Sequence, residues 1–199
     1  MELFIYVLLI ATSVVGLTFI IERGLALRWG RVVPPEIEAA VRVCNSRNEV
    51  GALYVVCERH DSPLGRLLLT ASEHLDWPKD ENVDAVQTRA RHEIVRLERG
   101  LVVLEVIVGI APLLGLVGTI MGMMTLFSGL GQSGLSDTES LAKGIGTILN
   151  ATLMGLLIAI PALVFWSYYN KKVETMAVEM ETICDQFLRR QYRGVNDGS

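Results

Sequence analysis

Four polar residues stand inside otherwise apolar stretches: Thr119 in one, and Thr147, Asn150 and Thr152 in another. Hydroxyls and a carboxamide among hydrocarbon side chains seek a partner or water. These four are therefore expected to face the interior of a helix bundle and are candidates to line a path for an ion. A threonine hydroxyl can equally be satisfied by a carbonyl of its own helix, so the spacing alone leaves both roles open. Glu105 is the acid nearest to such a stretch, about one and a half turns after Arg99. It reads either as an interfacial carboxylate paired with an arginine or as a proton-relay group. No acidic or basic residue stands in the middle of these stretches, whereas a chain that moves protons usually places an ionisable group at membrane depth. The titrating group would then come from another polypeptide.

Other chemistries find no support. Cys44, Cys57 and Cys184 have no CxxC spacing, and His60, His74 and His92 fall in no pattern such as HExxH, so no metal is expected and the cysteines read as free thiols in a reducing compartment. No nucleophile, acid–base pair or metal set is visible, so neither catalysis nor a cofactor is expected. The net charge of -4 argues against a nucleic-acid partner, which would require clustered Lys and Arg.

With 51% hydrophobic and 20% charged residues among 199, the elements that hold these groups are expected to be membrane helices. Three apolar stretches, Leu3–Ile21, Leu101–Leu130 and Leu141–Trp166, reach the ~20 residues that a spanning helix needs. The first has no basic n-region and no A-x-A site, and reads as a retained anchor. The fold expected is all-α with transmembrane helices over 1–22, 101–130 and 141–168. A cytoplasmic helical domain of about three helices is expected over 23–100, an outer loop over 131–140, and a cytoplasmic helix and tail over 169–199. Pro112 and Pro161 are expected to bend helices whose neighbours satisfy the freed carbonyls. Arg23, Arg28, Arg31, Arg89, Arg91, Arg96, Arg99, Lys171 and Lys172 cluster at one set of span ends and Lys143 lies near the other, which predicts an outer N-terminus and a cytoplasmic C-terminus.

Asp80 is a candidate cap for a long helix in which Val83, Val86, Ala90, Ile94, Leu97 and Leu101 form one apolar seam leading into the second span. Val173, Met176, Met180, Ile183 and Phe187 continue the third span in the same way. These stripes can bury each other within one chain or meet between subunits. Gly115, Gly118 and Gly122, and Ala151, Gly155 and Ala159, form small faces that let helix backbones approach closely. The tail from Gly194 to Ser199 is polar and expected to be disordered.

Ala111-Pro112-Leu113-Leu114-Gly115-Leu116-Val117-Gly118-Thr119-Ile120-Met121-Gly122 resembles the APxxGLxGTxxG motif of ExbB and TolQ proteins. Gly144-Ile145-Gly146-Thr147-Ile148-Leu149-Asn150-Ala151-Thr152-Leu153-Met154-Gly155-Leu156, followed by Ala159-Ile160-Pro161-Ala162, is similar to the motif of their third span. The resemblance, to the MotA/TolQ/ExbB family of ion-driven motor stators, covers nearly the whole chain. It implies a homopentamer in the bacterial inner membrane around the transmembrane helices of an ExbD/TolR-like partner, with a TonB/TolA-like protein as a further partner. In that family a partner aspartate takes and releases protons beside threonines that map to Thr119 and Thr152. Enteric members carry a glutamate at the position of Thr147, so the missing acid moves the proton-carrying role further toward the partner. A non-conducting membrane scaffold is the alternative reading.

Overall fold

The computed structural model describes the backbone of residues 2–133 and 138–196, and the side chains of residues 3–128 and 144–193. Among the described residues all regular structure is helical. In chain order it comprises α1 (Glu2–Ala26), α2 (Trp29–Val32), α3 (Pro35–Val43), a 3-10 turn (Arg47–Glu49), α4 (Val50–Arg59), α5 (Pro63–Glu73), α6 (Lys79–Glu98), α7 (Leu101–Ser133) and α8 (Thr138–Asn196). Residues 134–137, in the middle of the expected outer loop, and 197–199, in the expected tail, lie outside the described residues. The chain divides into two compact units, residues 1–23 with 100–168 and residues 24–99 with 169–199.

In the first unit, α1, α7 and α8 supply three stretches long and apolar enough to cross a membrane, and only 22%, 28% and 28% of their most apolar windows is buried within the chain. Phe4, Leu113, Phe127 and Val164 are exposed by 71%, 60%, 61% and 60%. A continuous apolar surface of this kind is unfavourable in water and matched by hydrocarbon. The protein is an all-α, multi-pass membrane protein. Both α7 and α8 stay helical through Pro112 and Pro161. Each ring removes one N–H, which leaves the carbonyls of Val108 and Leu157 without their helical donors.

Between α6 and α7 the structure departs from the sequence expectation of an unbroken helix. The segment Arg99-Gly100 is a turn, with α6 ending at Glu98 and α7 starting at Leu101. A Cβ on Gly100 would lie 2.0 Å from Arg23 Nε, so the guanidinium occupies the space a side chain would need. Glycine's low helix propensity and this close approach account for the stop that apolar periodicity does not register.

The second unit is also cut more finely than the three expected helices, because Pro34-Pro35, Ser62-Pro63 and Pro78 each begin a new element. Ser62 caps α5 by accepting from Gly65 N–H at 3.0 Å. Asp80 is not the cap of α6. Pro78, with extended backbone, holds that position, and Asp80 and Glu81 lie in the first turn, where they still oppose the positive end of the helix dipole. Glu49 accepts the backbone N–H groups of Asn45 and Ser46 at 2.7 and 3.2 Å, which hold its carboxyl below the usual range.

The α8 stripe settles an alternative that its spacing leaves open. Val173, Met176, Met180, Ile183 and Phe187 are at most 6% exposed, and the last four pack in one core with Ile37, Leu53, Leu64, Leu67 and Leu68. The stripe is consumed inside the chain, so it does not form a seam between subunits. Polar ties close the same end of the unit. Tyr192 donates to the Trp77 carbonyl at 2.9 Å and accepts from Asn82, whose amide also reaches the Ala71 carbonyl at 3.0 Å.

Glu93 is 1% exposed in this unit and lies against three arginines. Arg66 grips it through Nε at 2.9 Å and Nη2 at 2.6 Å, and Arg89 adds a contact at 3.2 Å. Removing one partner of a buried pair strands the other, so Glu93→Ala is expected to destabilise the protein by about 3–5 kcal/mol. Thermal unfolding of the detergent-solubilised protein measures this, and an unchanged midpoint would show that Arg66 finds enough water without Glu93.

Candidate functional site

The α7–α8 contact in the first unit is built from the absence of side chains. A Cβ on Gly155 would lie 2.5 Å from the Ala111 carbonyl oxygen and 3.2 Å from Gly115 Cα. One on Gly115 would lie 2.8 Å from the Ala151 carbonyl oxygen and 2.9 Å from Thr152 Cα. Gly118 faces Ala151 Cβ at 2.7 Å and Gly122 faces Ile148 Cγ1 at 2.6 Å by the same construction. Ala151 and Ala159 are 3% and 6% exposed, and Ala159 packs with Ile107, Ala111 and Ala162. At these separations the helix backbones touch, so Gly115 and Gly155 oppose backbone atoms and not movable side-chain tips.

Thr119 and Thr152 are half-buried beside that contact. Thr119 Oγ1 donates to the Leu116 carbonyl at 2.7 Å on its own helix, whereas Thr152 Oγ1 donates across the contact to the Gly115 carbonyl at 3.3 Å. A hydroxyl whose hydrogen is committed to a carbonyl keeps its oxygen lone pairs as acceptors. Thr147, Asn150 and Glu105 are exposed within this chain. Thr147 lies one turn before Ala151, and its backbone carbonyl receives the Tyr6 hydroxyl of α1 at 3.4 Å.

Tyr6 and Thr125 join these residues only in three dimensions. Both line a cavity of about 250 Å³, with Ile5, Gly118, Gly122, Thr147 and Ala151 among its other walls. Their signal in the sequence is weak, since a tyrosine near the start of an apolar helix is ordinary at a membrane interface.

Residues 59–182 match the model of the MotA/TolQ/ExbB proton channel family. The chain belongs to this family. A biopolymer transport ExbB homologue of Methanothermobacter thermautotrophicus is 30% identical over 179 residues, covering 88% of this chain and 63% of that protein. An ExbB-like protein of Synechocystis is 34% identical over 161 residues, covering 78% of this chain and 62% of its own length. The biopolymer transport protein ExbB of Neisseria meningitidis is 25% identical over 194 residues, 90% of this chain and 86% of that protein. The chain thus spans less than two thirds of the first two relatives. The family match includes Thr119, Thr147, Asn150, Thr152 and the glycine contact, whereas α1 with Tyr6 lies before it. As a MotA/TolQ/ExbB member the chain falls in a transport family.

Proposed function

We propose that this chain is the proton-channel subunit of an inner-membrane, ion-driven motor, working with an ExbD/TolR-like single-span partner to deliver work to the cell envelope. The observation that supports this most is the placing of Thr119 and Thr152 at the edge of a backbone-tight α7–α8 contact, with both O–H hydrogens committed to carbonyls. Such oxygens offer acceptors to a protonated carboxyl or a hydrated proton. The mobile charge resides on a membrane aspartate of the partner. Protonation neutralises it, which removes the cost of a charge at membrane depth and lets the partner helix move past the threonines. Deprotonation on the other side resets it. Five copies around the partner helices form the collar. Thr147 and Asn150, exposed in the single chain, line the same path in the assembly, and Glu105 acts as an interfacial carboxylate.

The test is co-expression and purification with and without a single-span ExbD/TolR-like protein from the same organism, followed by native mass spectrometry. A stable assembly of several copies with that partner, containing a membrane aspartate, is the expected result. A chain that assembles without any such partner would favour the scaffold reading.

The proposed orientation puts the second unit in the cytoplasm. The native thiols cannot report on it, because Cys44, Cys57 and Cys184 are buried and burial pushes the Cys57 thiol up to about 12. An exposed position is needed, and Asn48 provides one. Asn48→Cys is expected to resist a membrane-impermeant thiol reagent in intact cells and to react after lysis. Labelling in intact cells would reverse the topology.

A further inference from the structure

The cavity lined by Tyr6, Thr125 and Thr147 lies where α1, α7 and α8 meet, beside the tight α7–α8 contact, and differs from the mostly apolar-sided groove between α1 and α7 in carrying several hydroxyls. Its volume of about 250 Å³ leaves room for several waters, each of which occupies roughly 30 Å³ in the liquid. Three of its walls carry hydroxyls. Tyr6 Oη donates to the Thr147 carbonyl at 3.4 Å and Thr125 Oγ1 to the Met121 carbonyl at 3.0 Å, so both oxygens keep acceptor lone pairs. Gly118, Gly122 and Gly144 supply walls without side chains.

Position along the helices gives the cavity a direction. Tyr6 lies 17 residues before Arg23 on α1, a rise of about 25 Å, so the cavity occupies the end of this unit remote from Arg23 and Gly100. Its inner wall includes Gly118 and Ala151, which directly precede Thr119 and Thr152. It therefore extends, inside a single subunit, from the level of Tyr6 to that of the two threonines, which stand next to its wall in the chain but do not line it.

We propose that this cavity is a water-filled vestibule, with hydrated protons as its ligand, through which the threonine level is reached from the N-terminal end of α1. Tyr6 is a positioning residue that ties α1 to α8 at its mouth. The proposal deepens the proton-channel reading and rests on it for the vestibule's purpose, although not for its hydration.

Hydration can be read without flux. A thiol reacts as its thiolate, which forms in water and is suppressed in hydrocarbon. Ala151 is 3% exposed and lines the cavity, whereas Leu153, two residues on, is 54% exposed on the outer surface of the unit. In the full-length protein in membrane vesicles, Ala151→Cys is expected to react with a small cationic methanethiosulfonate at least about tenfold faster than Leu153→Cys, the reverse of their exposure ranking. Thr125→Cys, a nearly isosteric change, against Met124→Cys provides a second pair with the same expected order. Equal or inverted rates in both pairs would overturn the vestibule. Should Ala151→Cys fail to fold, the second pair decides alone. If the rates keep the expected order but the complex carries no protons, the vestibule stands and the channel reading fails. If protons flow while the rates are inverted, the reverse holds.

Discussion

Gly155→Leu is expected to prevent α7 and α8 from packing while leaving membrane insertion intact. A first side-chain carbon at this position already falls 2.5 Å from the Ala111 carbonyl oxygen and 3.2 Å from Gly115 Cα, so the obstacle is backbone on the facing helix. Overpacking that side chains can absorb typically costs about 1–3 kcal/mol, and here only separation of the helices can relieve it, so more than about 3 kcal/mol is expected. Insertion depends on apolar length, which leucine does not reduce. The variant should reach the membrane, then run in detergent as monomers or aggregates. Gly109 is the control, since nothing lies within 4 Å of a Cβ there, and Gly109→Ala should leave assembly unchanged. An intact oligomer in Gly155→Leu would show that the close approach is not needed.

Thr119→Val with Thr152→Val is expected to abolish most proton-driven function in a protein that still assembles. Valine keeps the branched shape, and the hydrogen bonds lost, to Leu116 and Gly115 carbonyls, are ordinary ones of about 1 kcal/mol each. The loss for a passing proton is larger, because the acceptors vanish at a depth where water is scarce. An unmet polar group costs about 1–3 kcal/mol, and with two acceptors removed a fall in rate of at least roughly tenfold is expected. Glu105→Gln, at an exposed position, should retain much of the wild-type rate. Abolished flux in that variant would move the proton path onto this subunit's own acid.

What could be read beforehand followed from patterns with strong physical consequences. Long apolar runs identify the three spans because lipid permits no other spanning structure for such residues than a helix here. Prolines mark where α3, α5 and α6 begin, since each restricts the residue before it. The stop at Gly100 was hidden because it depends on Arg23, 77 residues earlier in the chain, filling the space beside it. Burial of the α8 stripe was hidden too. A heptad-like pattern states that a face must be covered, not by which chain, and only the placing of α3–α5 against Met176, Met180 and Phe187 decides that. In the site, the threonines were visible as polar residues in apolar runs. The direction in which each hydroxyl donates was not, because an own-helix carbonyl and a facing one are equally within its reach. Tyr6 and Thr125 carry no comparable mark in the sequence, since a cavity arises from three helices jointly.

Proton uptake into liposomes tests the central claim most directly. The chain and the single-span partner proposed for it are reconstituted with an internal pH-sensitive dye, and a membrane potential is imposed. Acidification of the lumen that requires both proteins, and that falls at least roughly tenfold in Thr119→Val/Thr152→Val, is the result predicted. Wild-type uptake in the double variant, or no uptake by the intact complex, would contradict the account.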